Sequence, residues 1–231
     1  MIDRNAVKEH FNKIADRYDQ FKERNSHYYS ELKKIIREKV SDTCAEKVLE
    51  IGCGTGNLLT IIPSKFALGG DISIEMIRLA LQKITESKSV KFIVMTAEEL
   101  PFKPVFDVIL AVDLMEHTAA PEKVLQEIRL VSKPHTKILV ISANPIWAPI
   151  LHIAEKKRLK MAEGPHHWPT LRMLKKAGIK NGFEIIECGF RFLLPFPAGR
   201  PGNWINSVSA RIPVINRLGL IQYLLLTVRD V

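Results

Sequence analysis

The stretch Val48-Leu49-Glu50-Ile51-Gly52-Cys53-Gly54-Thr55-Gly56-Asn57 constrains this chain more than any other. Val48, Leu49 and Ile51 suit a strand buried on both faces. Three glycines come next at alternate positions, where a backbone can turn tightly and approach a ligand closely. Asn57-Leu58-Leu59 reads as the start of a helix over 57–62, whose first N–H groups have no partner within it. An oxygen-rich small molecule fits such a place. The pattern is acidic-x-Gly-x-Gly-x-Gly; a dinucleotide fingerprint would put glycine at 57, where this chain has Asn57.

A second acid strengthens the reading. Asp71, in Leu68-Gly69-Gly70-Asp71-Ile72-Ser73, ends the expected second strand. It lies about 20 residues past the turn, where a carboxylate that accepts both vicinal hydroxyls of a ribose belongs. The alternative is a plain helix cap ahead of Ser73.

Around these residues strands and helices alternate. Strands are expected near 47–51, 66–70, 90–95, 106–112 and 137–142, with helices at 57–62, 73–85 and 121–131 between them. Met76, Ile77, Ala80, Leu81 and Ile84 give one of these helices an apolar face, and Pro121 suits a first helical position. Such alternation predicts an α/β, doubly wound, parallel sheet with its ligand crevice at the carboxyl ends of the strands. Two helices, over 3–19 and 27–40, precede the first strand, with Asp3 as a cap for the first. After residue 143 the pattern loosens: a helical stretch from Ile150 to Leu159, a short helix over 170–177 stopped at Gly178, and last strands at Phe183–Cys188 and Leu220–Val228. The chain reads as one domain over 1–231, with a helical addition over 1–45, a ligand-binding core over 46–145 and an acceptor side over 146–231.

Composition narrows the class. With 46% hydrophobic residues the chain can bury a large core, which excludes disorder. The 34 Lys and Arg outnumber 25 Asp and Glu, a net charge of +9 that favours anionic partners, yet no dense basic block marks a nucleic-acid site. Cys44, Cys53 and Cys188 are too few and scattered for a disulfide framework or zinc site, and imply a reducing, cytoplasmic setting. Asp3, Arg4, Lys8 and Glu9 do not read as a signal peptide. The uncharged run from Ile138 to Ala154 is interrupted by Asn144, Pro145, Pro149 and His152, and reads as a strand and loop instead of a membrane span.

The motifs together resemble class I S-adenosylmethionine-dependent methyltransferases, most closely the small-molecule branch that includes ubiquinone and menaquinone methyltransferases. Val48 to Asn57 matches the first motif, and Gly70-Asp71-Ile72-Ser73 with Met76 the second. Thr96-Ala97-Glu98-Glu99-Leu100-Pro101-Phe102 matches the adenine loop, and Phe106-Asp107-Val108-Ile109 with Glu116-His117 the fourth strand and the segment after it. Phe11 to Asp19 resembles the helix that opens many members. The resemblance implies a Rossmann-like, mostly parallel seven-stranded sheet with an antiparallel last strand, and S-adenosyl-L-methionine as cofactor, S-adenosyl-L-homocysteine as product. It implies that Gly52, Cys53, Gly54 and Gly56 pass under the methionine part, with Glu50 near its ammonium. Asp71 would hold the ribose, and Ile72 and Met76 would pack on the adenine. Thr96, Ala97 and Glu98 would border the ring, Val112 would face the methionine part, and Tyr18 would touch the cofactor from the opening helix.

Two positions depart from the family pattern. Thr96 stands where relatives often carry Asp, so the adenine amino group would meet an uncharged acceptor. Lys133-Pro134-His135-Thr136 replaces a glycine-containing turn.

The sulfonium is already an activated donor, so a base is needed only if the acceptor holds a proton of high pKa. His117 is the candidate, against a plain packing role; His166 and His167 form a second pair, and a metal reading of them lacks a third ligand. Trp147, Trp168, Trp204, Phe190, Phe192 and Phe196 form either an apolar acceptor cavity or ordinary core. Trp204, Ile205, Val208 and Ile212, with Arg200, Arg211 and Arg217, form a candidate peripheral membrane contact that Pro213 cuts short. The expected activity is methyl transfer to oxygen or carbon of a small, hydrophobic or lipid-like acceptor. The alternatives are an RNA or protein methyltransferase, which the segment Val112-Asp113-Leu114-Met115 does not support, and a nicotinamide-dependent oxidoreductase, which Asn57 argues against.

Overall fold

The computed structural model describes residues 2–40, 43, 45–84, 89–157, 159–162, 164–195, 202, 204–206, 208, 212 and 214–228. Cys44, Phe196, Arg200, Arg211 and Pro213 lie outside them. Seven strands form one sheet: β1 (Lys47–Ile51), β2 (Phe66–Asp71), β3 (Val90–Val94), β4 (Phe106–Val112), β5 (Ser132–Ala143), β6 (Phe183–Arg191) and β7 (Ile221–Val228). Their order is β3-β2-β1-β4-β5-β7-β6. The first five run parallel, and β7 is antiparallel to both β5 and β6. Strand order therefore reverses between β1 and β4, which puts a crevice at their carboxyl ends.

Alternation along the strands splits the core into two layers. Val48, Val108 and Leu139 face α2 (Ser26–Val40), which buries Leu32, Ile35, Ile36 and Val40. Leu49, Ile109 and Ile138 face α4 (Pro121–Val131) and α6 (Leu171–Lys180). Between them in sequence lie α3 (Ile74–Lys83) and α5 (Ala148–Lys156). The first helix, α1 (Arg4–Arg24), starts where expected, with the Asp3 carboxylate accepting from the Asn5 N–H at 2.9 Å. It continues past residue 19 because Gln20 to Arg24 contain no breaker.

Two expected helices differ. No α-helix forms over 57–62; a single 3₁₀ turn at Leu59–Ile61 stands there. Pro63 pushes Ile62 to extended backbone (φ −94°, ψ 115°), so too few residues remain for an α-turn. The helix expected to stop at Gly178 runs on to Lys180. Gly178 is buried inside it, where a Cβ would stand 3.4 Å from Leu226, and the stop is Gly182 at φ +80°.

The glycine-free segment after α4 lies inside β5, as an irregularity held by two residues. His135 takes a left-handed conformation (φ 63°). The fully buried Thr136 hydroxyl donates to Phe106 O at 2.7 Å and accepts from the Lys133 N–H at 3.0 Å. Thr136→Val keeps the shape and removes both bonds. It should lower unfolding free energy by about 1–3 kcal/mol, read as a shifted urea midpoint with an unchanged slope.

Candidate active site

The glycine turn rises from the end of β1. Gly52, Gly54 and Gly56 have φ of 72°, 52° and 77°, a region L side chains avoid. The N–H groups of Gly52 and Cys53 both donate to Gly70 O, at 2.7 and 3.0 Å, which pins the turn to β2. A Cβ on Gly52 would meet Leu114 at 2.9 Å, and one on Gly54 would meet the Tyr18 ring at 3.1 Å. The turn is thus both bent and crowded, and only bare backbone fits.

Asp71 faces this turn. One carboxylate oxygen accepts from the Gly54 N–H at 2.8 Å and the other from the Ser73 N–H at 2.9 Å. It does not cap α3: the Ser73 hydroxyl does, accepting from the Met76 N–H at 3.1 Å. Each Asp71 oxygen keeps a further lone pair. Burial raises its pKa, against the lowering effect of these N–H donors.

A cleft opens in front of Asp71. Tyr18, Gly52, Gly54, Asp71, Ile72, Met76, Thr96, Ala97, Glu98, Val112 and His117 all line it. Glu50, Cys53 and Gly56 do not. Cys53 is buried, with its sulfur against Gly69, and Gly56 lies against the Phe92 ring. Thr96 is not alone at its end of the cleft: its hydroxyl donates to the Glu98 carboxylate at 2.5 Å, so a charged acceptor sits one step away. Residues that sequence reasoning left out also line the cleft, among them Arg4, Phe11, Met95 and Asp113. Phe11 lies in the opening-helix motif and Asp113 directly follows Val112; those were the available signals.

Helix α1 lies across the cleft, bringing Val7, Phe11 and Tyr18 to it. Polar ties hold it. The Ser73 hydroxyl donates to the Asn12 amide oxygen at 2.7 Å. Asp19 accepts from the Thr55 hydroxyl at 2.6 Å and the Asn57 amide at 2.8 Å, and pairs with Lys83. Burial pushes the Asp19 carboxyl up, but the bonds from Lys83, Thr55 and Asn57 outweigh it and hold it below the usual range.

Glu50 sits behind the turn at 2% exposure, and its Oε2 has no hydrogen-bond partner. Burial pushes its carboxyl up to about 8; Lys22 opposes the shift and Asp71 adds to it. The same burial lowers the Lys22 ammonium, against the pull of Glu50, Asp113 and Asp19.

A second cavity adjoins the cleft, lined by Phe21, Tyr28, Trp147, Leu151, Met161 and Leu220 among others. Asp113 and His117 line both spaces. Asp113 stands at the end of β4 with φ 50°, a strained conformation for a side-chain-bearing residue, and accepts from the Tyr28 hydroxyl at 2.7 Å. The His117 ring packs edge-on against Phe11 at 5.0 Å, with Nδ1 3.3 Å from Pro165 O. Of the aromatic residues expected around an acceptor, Trp147 lines the cavity, Phe192 belongs to the core, Trp168 borders another hollow and Trp204 is exposed. Among the described residues no group of three or more His, Cys, Asp or Glu is placed to hold a metal ion.

Comparison with known proteins decides the family. Residues 49–140 match the methyltransferase domain model. An uncharacterized protein of Methanocaldococcus jannaschii is 31% identical over 177 residues, 74% of this chain and 81% of that one. The chain belongs to the class I S-adenosylmethionine-dependent methyltransferases. Malonyl-[acyl-carrier protein] O-methyltransferase of Halalkalibacterium halodurans is 28% identical over 62% of this chain, and demethylmenaquinone methyltransferase of Symbiobacterium thermophilum 29% over 60%. The chain spans 57% and 59% of the length of those two. The fold matches magnesium protoporphyrin IX methyltransferase from Synechocystis, solved with bound S-adenosylhomocysteine, at TM-score 0.69 and 15% identity over 99% of this chain and 100% of that one.

The residues present fit this cofactor. Gly52 and Gly54 line the cleft with bare backbone, with Leu114 and the Tyr18 ring closing the space beside each. Asp71, Glu98 and Asp113 line the cleft of a protein with net charge +9, a local reversal of sign that suits a cation.

Glu50 yields a pH-dependent test. Its folded pKa, about 8, lies above its ordinary value of 4.5. The stability tied to its proton is therefore complete below about pH 4.5 and lost as pH rises through about 8. Glu50→Gln removes that loss. The ligand-free variant should lie close to wild type near pH 5 and melt higher near pH 9 by calorimetry, by about 2–4 °C for each kcal/mol of ionisation cost removed; a gap that does not widen with pH would show Glu50 to be ionised throughout.

Proposed function

We propose that the protein transfers a methyl group from S-adenosylmethionine to a small, hydrophobic or lipid-like acceptor, on oxygen or carbon. One observation carries the reading: Asp113 and His117 line both the carboxylate-rich cleft and the adjoining, largely apolar cavity. A methyl donor and an acceptor held in the two spaces would meet beside these side chains. Acceptors named for relatives, malonyl-[acyl-carrier protein] and demethylmenaquinone, are compatible with such a cavity.

Bound S-adenosylmethionine supplies a methyl group already activated by its sulfonium. The chain's own residues supply position and charge. Asp71, fixed by Gly54 and Ser73, offers its remaining lone pairs to vicinal hydroxyls. Glu98, joined to Thr96, offers the charged acceptor that Thr96 lacks. Ile72 and Met76 offer apolar surface to a flat ring, and Val112 and the Gly52–Gly54 backbone face the other end of the cleft. Helix α1 excludes water. With the His117 Nδ1 proton directed to Pro165 O, Nε2 carries the lone pair that can take a proton from an acceptor hydroxyl. Asp113 adds negative charge beside the methyl-transfer point.

Two measurements test this. Calorimetry should give micromolar-range binding of S-adenosylhomocysteine, weakened about 100-fold in Asp71→Ala; no heat with either cofactor form in wild type would overturn the reading. In a methyl-transfer screen with quinols, phenols and acyl compounds, His117→Ala should lower turnover about 100-fold with product binding kept within about threefold. Equal turnover would return His117 to a packing role.

A further inference from the structure

The mouth of the apolar cavity opens onto an unusual surface. Ile146, Ile150 and Ile153 recur at helical spacing across the 3₁₀ turn Pro145–Trp147 and α5, and each is more than half exposed (55%, 55% and 54%). Leu159, just beyond α5, is 72% exposed. A helix of a globular protein ordinarily turns such a stripe inward, and this one turns it outward. Ile150 and Leu159 belong both to the stripe and to the cavity wall, so the apolar surface continues from outside to inside.

The stripe extends onto a second segment. The Trp147 indole N–H donates to Leu218 O at 2.7 Å, and the Asn144 amide donates to Arg217 O and Gly219 O at 2.9 and 2.8 Å. These bonds hold the 3₁₀ turn Asn216–Leu218 beside α5, adding Leu218 at 46% exposure. Lys156, Lys157 and Arg217 are exposed at the edges, and Glu155, half-buried, is the one acid of α5.

We propose that this face docks on an anionic lipid bilayer and that the apolar acceptor passes from the bilayer into the cavity through its mouth. The proposal rests on the reading of an apolar acceptor under the proposed function. Two observations select a bilayer. The stripe is apolar with a cationic rim, the composition that binds an interface carrying negative headgroups. It is continuous with the cavity, so a molecule that partitions into lipid need not cross water to reach Asp113 and His117. The face differs from the contact expected at Trp204 to Ile212. It sits on α5 and the 3₁₀ turn Asn216–Leu218, and none of its residues comes from Trp204 to Ile212.

The test is co-sedimentation of the full chain with vesicles of phosphatidylcholine alone or with about 30 mol% phosphatidylglycerol. Wild type should pellet with the anionic vesicles at least about tenfold more than with neutral ones, and lose this at high salt. Ile146→Glu/Ile153→Glu, which changes no cavity-lining residue, should lower binding at least about fivefold. Lys156→Glu/Lys157→Glu should do the same without touching the stripe. Both variants should keep the circular dichroism and S-adenosylhomocysteine binding heat of wild type. That heat tests the methyltransferase reading separately, so failure of one leaves the other standing. Equal binding of wild type and both variants, or no wild-type binding, would overturn the proposal. So would a wild-type dimer in sedimentation equilibrium that the stripe variant converts to monomer, because the face would then belong to a second copy of the chain.

Discussion

The site depends on a single carboxylate held from two directions. Asp71 ends β2, yet its oxygens bind the N–H of Gly54, from the loop after β1, and of Ser73, at the start of α3. An ionised or partly ionised carboxylate accepting backbone N–H groups in a buried place is among the stronger hydrogen-bonded arrangements available. Here it fixes the distance between two strand ends and a helix. The Gly70 carbonyl adds two bonds from Gly52 and Cys53, so the turn is gripped by consecutive residues of the neighbouring strand. The crevice that sheet topology creates between β1 and β4 thereby acquires a fixed floor.

Charge is distributed unevenly around that floor. The chain as a whole is basic, but the cleft gathers Asp71, Glu98 and Asp113, with Glu50 behind them. Burial raises the cost of ionising both Asp71 and Glu50, and at Glu50 the nearby Asp71 adds to it. A cation held in the cleft would offset part of that cost.

What could be read from sequence was what repeats locally. The strand, the three glycines and the acid at the end of the next strand were legible because each residue type answers a backbone requirement at its own position. The helix expected over 57–62 rested on Asn57-Leu58-Leu59; the β-branched Thr60, Ile61 and Ile62 that follow do not favour it, and Pro63 holds Ile62 extended. Thr96 looked like a loss of charge because Glu98, two residues on, turns back to it only in three dimensions. Asp113 was missed for a similar reason: its role comes from a positive φ and from Tyr28, 85 residues away in the chain. The outward apolar stripe of α5 was hidden because periodicity reports that a face exists and not which way it points.

The cover over the cleft is held differently from the rest of the molecule. Of α1's 21 residues only Val7 and Ala15 are buried, and polar contacts at His10, Asn12, Asp16 and Asp19, with the Phe11 ring against His117, tie it to the rest. Elements fastened by a few polar contacts detach as units more readily than elements fastened by core packing. If the cleft holds the nucleoside as proposed, its release would require α1 to lift from these seats, which would make one peptide segment the gate between successive turnovers.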